Sequence, residues 1–256
     1  MCDHTATRRK YKKDFLTKVI VRIDFDTPLP IAKSGPAKKI YNIVKERFPI
    51  TEEKKVMGKQ FVIGHDVTKE RTIETKEWHY YSKNREKHLT IAPEFMFIEY
   101  DKYEYYEILR DDFLSVSFAL FDAYPKLHVK RFGLGYIDDI EVKDENYFDW
   151  DNYLKPELNT IFSIADENEK ISRAFHVLEF NYGEDYLRFQ FGMFNPDYPA
   201  PIKKKTYKLD YDMYTTKLLD KSDLEELLNN FHLKINSFFE EIITNELRVL
   251  MEPIND

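Results

Sequence analysis

Lys130, Arg131, Tyr136, Asp138 and Asp139 fall within one short stretch, KLHVKRFGLGYIDDIEV at 126–142, and His232 lies far downstream. Two cations, two carboxylates, a phenol and an imidazole are the side chains from which a polar groove could be lined. If they meet, the expected site is a cleft between two halves of the chain acting on a nucleotide or a nucleic acid. Such a cleft should perturb the pKa of at least one group in it.

Stronger chemical signals are missing. The seven histidines include no H-x-x-x-H or H-E-x-x-H pair, so no metal ligand is assigned. His65, Asp66 and His79 could converge only through the fold. His176 and His232 sit inside apolar stretches and read as buried, satisfied imidazoles. No G-x-S-x-G elbow occurs, and Cys2 is the only cysteine, so neither a serine or cysteine nucleophile nor a disulfide is expected. Glu104 with Glu107 and Asp111 with Asp112 read as solvated helix surface. The acidic run at 138–151 lacks calcium-loop spacing and reads as a solvated connector. Lys203, Lys204 and Lys205 beside Tyr207, Tyr211 and Tyr214 could grip a single strand; lysines guarding a sheet edge explain them better. Arg8 to Lys13 invite the same comparison and read better as a solubilising leader. No catalytic residue and no cofactor follows from these patterns.

The elements that would position these groups follow from period and punctuation. Residues 15–25 alternate as a strand, and Ile40, Ile43, Val44 and Phe48 make a helical stripe that Pro49 ends. Strands are expected near 60–65, 72–81 and 87–100, with Pro93 marking an edge or a bulge. A helix over 101–124 opens on an Asp101–Glu104 capping box. The 126–142 strand carries Phe132, Leu134 and Tyr136 on one face and Arg131, Gly133 and Gly135 on the other. Its glycine pair suggests a helix crossing close by. A short helix is expected over 150–162, and three strands over 171–182, 186–195 and 206–214, the first two joined at Gly183-Glu184-Asp185. One helix over 223–251, on the order of 40 Å long, closes the chain.

The fold class expected is α+β: two mostly antiparallel sheet-and-helix halves, 15–142 and 143–256, packed together with the long C-terminal helix, behind a flexible basic tail at 1–14. The first half follows a split β-α-β order. The two halves could equally be one continuous domain. Across 256 residues, 43% hydrophobic and 16% aromatic content suffices for a core, and the net charge of −7 argues against general binding to nucleic acid or anionic membranes. The polar N-terminus has no apolar core, and no run of about 18 apolar residues occurs. A cytoplasmic protein is expected.

The segments FLTKVIVRIDFDTPL, IYNIVKERFP, DKYEYYEILRDDF and KRFGLGYIDDI resemble a sporadically distributed prokaryotic family of uncharacterised function. Its signature strand looks like R-x-G-L-x-Y-I-N-x-I, which Arg131, Gly133, Leu134, Tyr136, Ile137 and Ile140 match. Gly135 replaces the family's usual basic residue and Asp138 its asparagine; LNNFHLKINSFFEEIITNELRVLME resembles its closing helix, with His232 at the family's histidine position. The resemblance spans nearly the whole chain and brings no activity or catalytic residue with it. The family's patchy distribution is similar to that of mobile-element, defence or toxin–antitoxin genes, an association without a mechanism. The function expected is therefore non-enzymatic: an interaction or accessory protein meeting a protein partner, or a second copy of itself, through the C-terminal helix.

Overall fold

A computed structural model describes residues 10–32, 34–63, 68–144, 146–164 and 166–254. The order is β1 (Lys10–Tyr11), β2 (Leu16–Phe25), α1 (Lys38–Arg47), β3 (Ile50–Ile63), β4 (Thr68–Tyr81), β5 (Lys87–Ile91), β6 (Phe95–Tyr100), α2 (Tyr106–Ala123) and β7 (Val129–Glu141). Three short 3₁₀ turns follow, then β8 (Ala174–Asn181), β9 (Asp185–Met193), β10 (Thr206–Thr215), α3 (Leu224–Ile242), α4 (Asn245–Met251) and β11 (Pro253–Ile254). The content is α+β.

The chain forms two compact units, both discontinuous in sequence. Unit 1 takes its described residues from Met1–Lys18, Leu134–Met213 and Asn229–Asp256; unit 2 takes them from Val19–Gly133 and Tyr214–Leu228.

Unit 2 orders its strands β3-β4-β5-β6-β2, antiparallel throughout. β2 alternates cleanly, burying Val19, Val21, Ile23 and Phe25, as the period of two requires. α2 sinks Leu109, Phe113, Val116 and Leu120 into the core. No side chain caps it; its N-cap is Tyr105, so the expected start at Asp101 with a capping box is corrected. The run expected as one strand at 87–100 is a hairpin. Pro93 lies in its turn, where Ala92 N donates to Phe95 O at 2.9 Å, because proline cannot serve a ladder on both sides.

Unit 1 orders its strands β7-β10-β9-β8, with β1 and β11 as a separate two-stranded sheet. β7 buries Leu134, Tyr136, Asp138 and Ile140 in strict alternation. On the core side Phe238 of α3 meets Phe180, Phe189 and Tyr211 edge to face at 5.0–6.0 Å. The stretch after β7 is 3₁₀ turns at Pro156–Leu158 and Thr160–Ser163, in place of the expected helix over 150–162. The closing helix is two helices. α3 ends at Ile242, and Thr244 starts α4 by accepting from Leu247 N at 3.3 Å.

Candidate functional site

The six groove candidates part company. Lys130 is exposed. Arg131 lies with its guanidinium 4.9 Å from the Tyr214 ring centroid, and a Cβ on Gly133 would stand 2.8 Å from Arg131 Nη1. What lies across Gly133 is thus the flexible end of an arginine side chain two residues away, in place of the helix that the glycine pair suggested. Asp139 is half-exposed, pairs with Lys208 at 2.6 Å and accepts from Thr17 Oγ1 at 3.0 Å.

Tyr136, Asp138 and His232 are all buried in unit 1. Tyr136 Oη lies 2.7 Å from His232 Nδ1, and Asn236 Nδ2 lies 3.0 Å from His232 Nε2. With the amide donating to Nε2, the imidazole carries its proton on Nδ1 and donates it to the phenol. Asn236 sits one helical turn beyond His232, which is why the two share a face of α3. Asp138 is only 6% exposed. Burial, with Asp14 and Asp139 adding negative charge, pushes its carboxyl up to about 8, so the group is a neutral acid at pH 7. Tyr211 senses that carboxyl and is itself raised, mainly by burial. Its hydroxyl is buried with no hydrogen-bond partner among the described residues. These are core polar groups: Tyr136, Asp138 and His232 are each at most 6% exposed, and Asn236 is half-buried beside them. Asp138 is thus corrected from the start of a solvated acidic connector to a buried position within β7.

Two other readings change. Asp112, expected on a solvated helix face, is buried and holds Arg47, Lys87 (3.0 Å) and the Tyr100 hydroxyl. Its carboxylate ties α1, β5 and β6 to α2, and it raises Tyr100 along with burial. Lys205, expected in a guarding lysine strip, is buried against Asp144 at 2.6 Å, and its ammonium lies 5.5 Å from the Trp150 ring centroid. β10 lies between β7 and β9 and guards no edge.

Between β4 and β5 of unit 2 runs an unexpected line of hydrogen bonds, with His79 and Thr90 buried. Glu77 Oε2 lies 2.9 Å from His79 Nε2, and His79 Nδ1 lies 2.8 Å from His88 Nε2, with Thr90 Oγ1 at 3.0 Å from the latter. The register sets His79 opposite Thr90 and Tyr81 opposite His88, so the two imidazoles meet diagonally across the strand pair. Their ring centroids stand 5.0 Å apart at 17°. Thr90 Oγ1 also lies 3.2 Å from His79 Nδ1, so its hydroxyl stands within hydrogen-bond distance of both facing nitrogens. Burial, then neighbouring His79 and Lys54, drops His88 to about 4, and burial lowers His79 as well. His65 and Asp66, which could meet His79 only through the fold, lie outside the described residues. Among the described residues no group of three or more histidine, cysteine or acidic side chains could hold a metal ion. A wide surface cleft lined by Phe118, Asp220, Lys221, Ser222 and Glu225 includes none of the six candidates.

The remaining candidate is an edge. Among the described residues β8 is the last strand of its sheet and has one neighbour, β9. Gly183 at φ +92 opens the β8–β9 hairpin turn, a conformation glycine adopts without strain. Tyr182 N donates to Asp185 O at 2.9 Å, so that pair is of the hydrogen-bonded type. In an antiparallel ladder bonded and non-bonded pairs alternate. With Asn181 opposite Tyr186 and Phe180 opposite Leu187, the N–H and C=O of Phe180, Leu178 and His176 turn toward β9. Those of Asn181, Glu179, Val177 and Phe175 turn outward. Phe175 (44%), Val177 (41%) and Leu178 (47%) are exposed there. Neither lysine nor proline interrupts the strand, although edges are ordinarily blunted by such residues.

No protein-family model and no curated protein matches this chain.

The edge went unnoticed in the sequence because AFHVLEFN reads like any buried strand. Only strand order distinguishes the last strand of a sheet from a central one. The Glu77–His79–His88 line was equally hidden, since its pairing depends on register. No helix among the described residues is long and apolar enough to cross a membrane.

Proposed function

We propose that this protein is a non-enzymatic interaction protein whose docking element is the open edge of unit 1 at β8. The partner it suits is a protein that presents an extended strand. Such a strand would satisfy the outward N–H and C=O groups of Phe175, Val177, Glu179 and Asn181 and set apolar side chains against Phe175, Val177 and Leu178. The observation that carries this reading is the coincidence of an unpaired backbone edge with exposed apolar side chains on the same strand.

The C-terminal helix has less to offer a partner. Leu224, Leu228, Phe231, Ile235 and Ile242 are buried, and α3 with α4 replaces the single helix whose excess length suggested a free face. Action on a nucleotide or nucleic acid has less support too, since Tyr136, Asp138 and His232 are enclosed. A setting in a mobile-element, defence or toxin–antitoxin system rests on the family resemblance alone.

Val177→Pro tests the docking element. Its N–H points outward, so proline removes no β8–β9 bond and is tolerated as at natural edges. The variant should keep wild-type circular dichroism and lose the partners that wild-type protein captures from native host cells. Capture of the same set by both proteins would contradict the proposal.

A further inference from the structure

We propose that the Glu77–His79–His88 line is a proton-operated latch: it fastens the β3–β4 ribbon to the rest of the unit 2 sheet and loosens it when both imidazoles are protonated. The inference is independent of the docking reading of unit 1. β3 and β4 pair along all 14 residues of each strand, from Ile50 opposite Tyr81 to Ile63 opposite Thr68. Among the described residues only Trp78, His79, Tyr80 and Tyr81 of β4 pair with β5, so this short seam joins the ribbon to its sheet. Trp78 with Ile91 and Tyr80 with Leu89 are buried pairs; His79 with Thr90 and Tyr81 with His88 are the others. Both imidazoles therefore stand on the seam.

An ionised carboxylate only accepts, so Glu77 fixes a proton on His79 Nε2. His79 Nδ1 is then an acceptor, and His88 Nε2 donates to it across 2.8 Å. One added proton, taken at His88 Nδ1, leaves that bond in place. A second sets N–H against N–H, which cannot bond, and brings two cations together at ring centroids 5.0 Å apart. Lys54, whose ammonium donates to Tyr81 Oη at 3.0 Å, opposes that charge on both imidazoles. Arg85 lies over the Tyr81 ring and pairs with Glu52 at 2.5 Å. Glu77 and Glu52 favour charge on His79, Asp101 and Glu52 favour it on His88, and Glu99 lies opposite His88 on β6. Burial prevails over these carboxylates: it leads in lowering both groups and, with His79 and Lys54, sets His88 at about 4. Because the folded value lies below the ordinary 6.5, the latch is fully fastened above about pH 6.5 and is lost as pH falls through about 4.

Backbone phase supplies the test. Ser82 N donates to Lys87 O at 3.0 Å, so alternation turns the amides of Trp78, Tyr80, Leu89 and Ile91 into the seam. Ala92 N donates to Phe95 O at 2.9 Å, so those of His88 and Thr90 turn toward β6 instead. Amide exchange of the full chain is followed from about pH 7 to about pH 4, expressed as protection factors, with the imidazole resonances read in the same samples. The fall of His88 from 6.5 to about 4 predicts that the four seam amides lose protection on the order of a hundredfold by about pH 4. The amides of His88 and Thr90 should keep theirs. His88→Gln, whose side-chain amide can donate to His79 Nδ1 or turn over and accept from it but takes no proton, should hold the seam throughout. Seam amides that keep full protection at about pH 4, an equal loss at His88 and Thr90, or the same seam loss in H88Q would each overturn the latch.

Discussion

Asp138 occupies an inward position of β7, between Tyr136 and Ile140, where the strand period calls for an apolar side chain. Its carboxyl is held near pKa 8 by burial and by Asp14 and Asp139, above the ordinary value of about 3.9 in an unfolded chain. Between those two values the folded chain keeps a proton that the unfolded chain releases. The contribution of Asp138 to stability is thus fully present below about pH 4 and is lost as pH rises toward about 8. Asp138→Asn, which cannot ionise, should escape that loss. The variant is expected to exceed wild type on the order of 3 kcal/mol at pH 8 and to converge with it near pH 4, read from urea denaturation at the two pH values. An equal difference at both would show that the carboxyl does not titrate between them. The inward face of β7 is plain from Phe132, Leu134 and Tyr136. The surroundings that keep Asp138 neutral are not, because Asp14 comes from a distant stretch of chain.

Elements were most legible where one period ran unbroken. β2, α1, β7 and the β8–β9 hairpin lie close to their expected positions, since alternation, a helical stripe ended by Pro49, and Gly183 each speak locally. The errors sit where a pattern continued through a break. Ile242, Ile243 and Leu247 carry the apolar stripe across the end of α3, so the stop there left no gap in period. The break is held by Thr244, whose Oγ1 accepts from Leu247 N at 3.3 Å and donates to Asn152 O at 2.6 Å. Thr244→Ala should cost about 1–2 kcal/mol, as the loss of an N-cap ordinarily does, while Thr244→Ser should recover most of it in the same denaturation assay. A full loss in the serine variant would assign the effect to the threonine methyl group instead.

At the scale of the molecule the decisive facts are strand order and ladder phase, and neither is written in any one segment. The α+β class was legible from the alternation of strands and helices. Which strand ends the sheet was not, and so the lysines near β10 were read as edge guards while the unguarded β8 passed as an ordinary strand. The six groove candidates show the same limit: Tyr136 and His232 do meet, 96 positions apart in the chain, yet they meet in a core. The claim on which the account turns is that the outward amides of β8 are free in the isolated chain and become bonded on docking. Residue-resolved amide hydrogen exchange of the isolated chain and of the chain with its captured partner bound measures this directly. The account predicts fast exchange at Phe175, Val177, Glu179 and Asn181 and slow exchange at His176, Leu178 and Phe180 in the isolated chain, with the first set becoming protected when the edge is occupied. Uniform protection along β8 in the isolated chain, or outward amides that stay fast in the bound state, would contradict it.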